Sequence, residues 1–300
     1  MRIGIIGAGK VGWTIGKYFS TEARSGTGEA DGYTLSGYFN RTAETAIAAA
    51  AFTGSKAYAS AFELVADSDL VFLTVSDGAI AEVFDGILTS AEDESLAGKY
   101  FFHCSGALGY EVLGDFDDLE ALGIAGVGSA HPLFAISDRE KTWEKMNSVY
   151  WTIEGTVEAV AVLENLFAVL GNPVAKIYSY NKPLYHAASA VVSNLVVGAA
   201  YIGEELYKES GLPQDFASEA WKSLFIENAN NIANKGVAAA LTGPVERGDV
   251  ATVAKHLQVL QKSEYREAYV ELSKALLKVA KISHPDRDDS KLEELLNADF

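Results

Sequence analysis

The sequence predicts an α/β chain: a doubly wound, mainly parallel sheet in its N-terminal part, followed by an all-α C-terminal domain. Three observations carry this. Short apolar runs alternate with helical patterns through the first half, the sequence form of parallel strands joined by crossover helices. Residues 70–75 are apolar almost without interruption, as a strand buried on both faces must be. Beyond Lys182 no strand pattern of comparable strength occurs, and helical periodicity fills the rest.

Strands are predicted at 2–6, 33–39, 56–58, 70–75, 99–103 and 126–130. Helices are predicted between them at 11–19, 42–52 and 61–66, with another beginning near Ala79. A strand at 149–153, a helix at 157–170 and a strand at 174–178 follow, the helix ended by Gly171-Asn172-Pro173. The segment 20–32, rich in Ser, Thr, Gly and Glu, reads as a surface loop that lengthens the first crossover. The acidic stretches 92–95 and 115–120 read as solvated. Four helices are predicted over 184–207, 214–234, 250–260 and 264–281, and the domain boundary falls near Ser179, giving domains 1–178 and 179–300.

The 300 residues, 49% apolar and 22% charged, are enough to bury a core without disulfides. The net charge of −17 repels phosphate backbones and anionic lipid, which argues against nucleic-acid and membrane-surface partners. The single cysteine, Cys104, fits a reducing compartment, and the N-terminal apolar run is too short for a signal peptide; a cytoplasmic location is expected. The most apolar long run, 187–203, is shorter than a membrane span and carries Ser189, Ser193, Asn194 and Tyr201. It is predicted to be a buried helix of a water-soluble protein.

Gly7-Ala8-Gly9-Lys10-Val11-Gly12 is a G-x-G-x-x-G between a predicted strand and a predicted helix. In that context Gly7 allows a tight turn, Gly9 lets backbone approach a pyrophosphate, and Gly12 lets helix and strand pack closely. The helix N-terminus adds N–H groups and a positive dipole end. These are the marks of a Rossmann domain. At the end of the second strand, Phe39-Asn40-Arg41-Thr42 holds no carboxylate for a ribose 2′-hydroxyl. Arg41 can pair with a 2′-phosphate, so NADP(H) is the expected cofactor, with Asn40 and Thr42 as neutral partners. Thr42 can equally cap the next helix. Val75-Ser76-Asp77 lies at the carboxyl edge of the sheet, as a cofactor contact or a helix cap.

Ser105 and Gly106, after the fifth strand, stand at the same edge; Ser105 can bond a substrate oxygen or the nicotinamide carboxamide. Cys104 beside it reads as a core residue. His131 follows the next strand and is either a general acid to a carbonyl reduced by hydride or a histidine bonded to backbone. Lys182 and His186, four apart, share a face at the start of the first C-terminal helix, and Ser189, Ser193 and Asn194 continue a polar stripe along it. The stripe serves a ligand or bonds helix to helix. The run Leu241-Thr242-Gly243-Pro244-Val245-Glu246-Arg247-Gly248-Asp249 makes a shaped loop whose Arg247 can bind an acidic group or pair with Asp249. Histidines and acids show no metal-ligand spacing.

Taken together, Gly7–Gly12, His103–Gly106, His131-Pro132-Leu133, Tyr185-His186-Ala187-Ala188 with Ser193-Asn194, and Leu241–Asp249 with His256-Leu257 resemble a bacterial oxidoreductase family. That family joins a Rossmann-like NADP-binding domain to a helical C-terminal domain of unknown function. More distantly the layout is similar to ketopantoate reductase, pyrroline-carboxylate reductase, prephenate dehydrogenase and the β-hydroxyacid dehydrogenases. The resemblance implies a homodimer formed through the helical domain and an active site in the cleft between domains. It also implies a lysine at the position of Lys182, although His186 stands where the β-hydroxyacid dehydrogenases have asparagine. The expected activity is hydride transfer with a small carbonyl, imine or hydroxy-acid substrate, using Ser105, His131, Lys182, His186, Asn194 and Arg247. A non-enzymatic NADP(H)-binding regulator and an NADP–deazaflavin hydride exchanger are the alternatives.

Overall fold

In the computed structural model, which describes residues 1–25, 32–90 and 95–298, eight strands build one sheet. They are β1 (Arg2–Ile6), β2 (Thr34–Phe39), β3 (Lys56–Ala57), β4 (Leu70–Leu73), β5 (Tyr100–His103), β6 (Gly126–Pro132), β7 (Trp151–Gly155) and β8 (Val174–Lys176). Their order is β3-β2-β1-β4-β5-β6-β7-β8. Neighbours are parallel except β6 and β7, which run antiparallel. Chain order reverses between β1 and β4, and in doubly wound sheets the crevice beyond the strand ends at such a reversal takes the ligand.

Helices α1 (Lys10–Ser25), α2 (Ala43–Thr53), α3 (Ala61–Ala66), α4 (Ile80–Ser90), α5 (Phe116–Ala121) and α6 (Val157–Leu170) accompany the sheet. Side chains alternate across it. In β4, Leu70 and Phe72 join a core with α1, α2 and α6, while Val71 and Leu73 join a second core with α3, α4 and α5. All four are fully buried, each contributing about 1.5–3 kcal/mol relative to exposure. A strand loaded on both faces has no polar position, hence its continuous apolar reading.

The chain departs from expectation at several places. α1 runs to Ser25, into the loop predicted over 20–32; residues 26–31 of that loop, and 91–94 of the acidic stretch near Glu92, lie outside the described residues. The stretch 115–120 is a capped helix: Asp115 accepts the Asp117 N–H at 3.0 Å, and Leu119 turns into the second core. His131 is the penultimate residue of β6 and not a residue beyond it.

α7 (Lys182–Val192) and α8 (Asn194–Glu209) replace the single helix predicted over 184–207, with Ser193 between them at φ −122° and ψ −68°. The chain forms two compact units, Met1–Ser193 and Asn194–Phe300. The division therefore falls later than the 178/179 boundary drawn from the change in pattern, because α7 is bonded to the sheet. The second unit contains α8, α9 (Gln214–Lys235), α10 (Val237–Ala240), α11 (Pro244–Arg247), α12 (Val250–Val259), α13 (Arg266–Ser283) and α14 (Ser290–Asn297). Its core gathers around Val245, Val253, Leu257, Leu277 and Leu292.

The helical stretch Ser179–Glu209, mean hydropathy 1.3, is long and apolar enough to cross a membrane. The expectation of a buried helix over 187–203 is corrected: Val191, Val192, Leu195, Val197 and Tyr201 are each more than half exposed. Its serines bond within the helices. Ser189 Oγ donates to the Tyr185 carbonyl at 3.0 Å and Ser193 Oγ to the Ser189 carbonyl at 2.9 Å, the usual local partner for a hydroxyl on a helix.

Candidate active site

The glycine turn does what its three glycines require. Gly7 has φ +104°, a conformation that L side chains rarely adopt. A Cβ on Gly12 would collide with the Gly7 carbonyl oxygen and Thr74 Oγ1, so α1 packs there only without one. A Cβ on Gly9 would meet no protein atom within 4 Å: this is the open side of the turn. The first intrahelical bond runs from the Trp13 N–H to the Gly9 carbonyl at 2.9 Å. The N–H groups of Lys10, Val11 and Gly12 precede it and are those a helix N-terminus offers an anion. Lys10 is exposed, while the Val11 side chain packs on the first core.

Two predicted cofactor groups have structural partners instead. Asn40 Oδ1 accepts the Ala8 N–H at 3.1 Å and its Nδ2 donates to the Thr42 carbonyl at 3.1 Å. The Ala8 amide is thus engaged in tying the turn to β2, which corrects its assignment to phosphate. Thr42 takes the N-cap position of α2 without a side-chain cap bond, and Arg41 beside it is exposed. Val75 is half-buried; Ser76 and Asp77 are exposed.

Ser105 is corrected in a similar way. Its hydroxyl donates to Asp77 Oδ2 at 2.8 Å and accepts the N–H groups of Ala107 at 3.2 Å and Leu108 at 3.0 Å. A hydroxyl has one proton and two lone pairs, all used in joining the ends of β4 and β5. Buried His103 accepts the Ser105 N–H on Nδ1 at 3.2 Å, and its Nε2 meets the Gly109 carbonyl at 3.2 Å. Burial pushes the Cys104 thiol up to about 12, which makes it the inert core thiol expected.

The antiparallel register of β6 and β7 pairs Ser129 with Glu154 and His131 with Thr152. These four polar side chains lie on one face, since Ala130, Trp151 and Ile153 between them turn into the first core. α7 docks on this ladder through two residues three apart. Lys182 Nζ bonds Ser129 Oγ at 2.6 Å and the Ser105 carbonyl at 2.9 Å, and pairs with Glu154 Oε1 at 3.1 Å. Glu154 Oε2 also accepts the Ser179 hydroxyl. Tyr185 Oη lies 2.7 Å from His131 Nδ1 and accepts the Thr152 hydroxyl at 2.9 Å. Lys182 is 1% exposed and its three N–H donors each have an acceptor. It therefore acts as a strut between α7 and the sheet.

One turn further on, exposed His186 comes back over Gly106. A Cβ on Gly106 would lie 2.8 Å from His131 Nε2 and 2.9 Å from His186 Nδ1, and the two ring centroids are 6.4 Å apart. Both imidazoles thus face one glycine at the carboxyl edge of β5. The first unit brings together Ser105, His131, Lys182 and His186. Asn194 and Arg247 belong to the second unit, both exposed. Asp249 does not pair with Arg247; it caps α12, accepting the Thr252 N–H at 3.0 Å and hydroxyl at 2.7 Å. The loop's shape comes from Arg287, whose guanidinium donates to the Glu246 and Val245 carbonyls.

Thr152 and Glu154 were not singled out by sequence, and Tyr185 only as part of a segment carrying the family resemblance. Their signal was present: Trp151-Thr152-Ile153-Glu154 alternates, and a carboxylate on a strand beside apolar residues needs a buried partner.

Burial, with the Lys182 charge second, lowers His103 to about 3 and His131 to about 4. The unfolded chain takes up both protons near pH 6.5 and the folded chain only well below it. The stability they confer is complete above pH 6.5 and falls as pH drops toward 4, by about 1.4 kcal/mol per pH unit per histidine. Urea denaturation of His103→Gln should show a shallower loss between pH 6 and 4.5; an unchanged slope would remove this assignment.

The sheet, its reversal point and the open glycine turn define a Rossmann-like chain with a helical C-terminal unit. Residues 1–126 match the family model of a Rossmann-like domain, and residues 149–276 match that of a domain of unknown function, DUF2520. This is the pairing the sequence resemblance implies. Protein TM1727 from Thermotoga maritima shares the fold with a TM-score of 0.71 at 24% identity, over 94% of this chain and 99% of that one. BF3122 from Bacteroides fragilis, described as a candidate NADP oxidoreductase, gives 0.66 at 21% identity, over 92% and 98%. Pyrroline carboxylate reductase from Plasmodium falciparum with NADP bound gives 0.55 at 12% identity, over 94% and 97%. No curated protein matches the chain in sequence.

Proposed function

We propose that this chain is an NADP(H)-dependent oxidoreductase that transfers a hydride to or from a small carbonyl, imine or hydroxy-acid substrate. One observation carries the reading: an open glycine turn after β1 and two imidazoles at Gly106 stand along the same carboxyl edge of one sheet. The turn fits a dinucleotide, because the space beside Gly9 is open and helix amides precede the first helical bond. Gly9, Lys10, Val11 and Gly12 would hold the pyrophosphate and Arg41 the 2′-phosphate. Bound there, the cofactor supplies the hydride. The chain's own part is to position the substrate and to offer hydrogen-bond donors from His131 and His186. Such clustering favours an enzyme over a regulator that only senses NADP(H), which has no use for proton donors.

A homodimer through the helical unit belongs to the same reading. Val196, Val197, Ala200, Trp221, Phe225 and Ile226 line an apolar groove of about 370 Å³ between α8 and α9, and exposed apolar surface of this kind marks an interface. A cytoplasmic location is supported by the single, half-buried cysteine.

Calorimetry with NADPH and NADH tests the cofactor. NADPH should bind more tightly, and Arg41→Ala should weaken NADPH by about 10–100-fold, the loss of one charge-assisted contact, while leaving NADH nearly unchanged. Binding of neither nucleotide would overturn the proposal.

A further inference from the structure

We infer that Tyr185, oriented by Thr152, is a positioning residue that fixes His131 as its Nε2–H tautomer and so aims a hydrogen-bond donor at the space beside Gly106. The Thr152 hydroxyl donates to Tyr185 Oη at 2.9 Å. The phenol has one proton of its own, and His131 Nδ1 lies 2.7 Å from it. A phenol that accepted from both Thr152 and an Nδ1–H would leave its own proton without a partner among the described residues, a cost in a half-buried site, so Nδ1 is taken as the acceptor. A histidine's tautomer is set by the bond its other nitrogen makes, so the ring proton sits on Nε2. Burial, with the Lys182 charge second, holds the ring neutral at pH 7, with a pKa of about 4. The phenol ring stands at 88° to the imidazole with centroids 5.6 Å apart, an edge contact that restrains rotation. Nε2 then faces Gly106, where any side chain would stand 2.8 Å away; glycine leaves its proton unobstructed.

This deepens the proposed function and rests on it in one respect: the space beside Gly106 is taken to receive the group that exchanges hydride. A neutral N–H there suits a group with a lone pair. It strengthens its bond as negative charge grows on a carbonyl oxygen during reduction. A protonated imine, which carries its own N–H, would meet donor with donor. The substrate class selected is a ketone or keto acid, or its alcohol in the reverse direction.

The test is ¹⁵N NMR of the full chain with labelled histidine, His131 being assigned by its absence in His131→Asn. Long-range proton–nitrogen couplings at pH 7 should show Nε2 protonated and Nδ1 bare. In Tyr185→Phe the two tautomers should become mixed, and kcat on a ketone substrate should fall about tenfold, with NADPH affinity and KM within twofold. Thr152→Val, which keeps the phenol, should shift the tautomer balance less than Tyr185→Phe. An Nδ1–H tautomer in the unmodified protein, or an unchanged tautomer in Tyr185→Phe, would overturn the inference. A preference for cyclic imines that are protonated at pH 7 over ketones would overturn the substrate class. The tautomer is read without nucleotide, so failure to bind NADPH would strike the proposed function and leave this signal in place.

Discussion

Replacing His131 with alanine is expected to lower kcat/KM for hydride transfer by about 10²–10⁴, the range for removing a positioned proton or hydrogen-bond donor. NADPH affinity should stay within twofold, because His131 stands at the end of β6, two strands beyond the β1–β4 reversal where the glycine turn sits. Steady-state kinetics after a screen of small ketones, imines and keto acids, together with calorimetry, separate the two effects. A parallel fall in NADPH affinity would make His131 a cofactor contact instead. Gly106→Ala should reproduce much of the kinetic loss with both rings retained. Its methyl group would lie 2.8–2.9 Å from His131 and His186, so one ring must move. If His131→Ala and His186→Ala both leave turnover unchanged, the imidazole cluster has no part in the chemistry.

Lys182→Met is expected to cost about 3–5 kcal/mol of stability, the range for leaving one partner of a buried ion pair uncompensated. Lys182 and Glu154 have side chains 1% and 3% exposed, so water cannot replace the missing partner. The loss would come from Glu154, left with the hydroxyls of Ser129 and Ser179 and no countercharge. Lys182→Met combined with Glu154→Leu should regain most of the stability, since well-packed apolar residues often replace such a pair without cost. Urea midpoints at constant m-value give both numbers. A single variant as stable as the parent would show that the pair does not hold α7 in place. A residue that only moved protons would lose activity at unchanged midpoint, which distinguishes a strut from a proton donor.

The parts legible in the sequence are those with local causes. The three glycines of the turn each meet a stereochemical demand within a few residues of themselves, and β4 shows its double burial in its own composition. The docking of α7 was not legible, because it depends on which residues of β6 and β7 stand opposite each other. Nothing in Gly126–Pro132 alone says that Ser129 meets Glu154 or that His131 meets Thr152. Reading Lys182 with His186 as one helical face left out Tyr185: Lys182 and Tyr185 bond to the sheet, while His186, exposed, reaches over Gly106. The domain boundary moved for the same reason. The apolar run over 187–203 was read correctly as apolar. Its burial was another matter, since a helix pattern says only that a face wants cover.

A strand has two faces, and a slip of one residue exchanges them. Were β7 to pair one position out, Thr152 and Glu154 would turn into the layer now occupied by Trp151 and Ile153, and neither anchor of α7 would find its acceptor. The seating of the helix that carries Tyr185 and His186 thus depends on the β6–β7 register, since both of its anchors bond to rungs of that ladder. A sheet out of register there would leave His186 without its place over Gly106 and His131 without Tyr185.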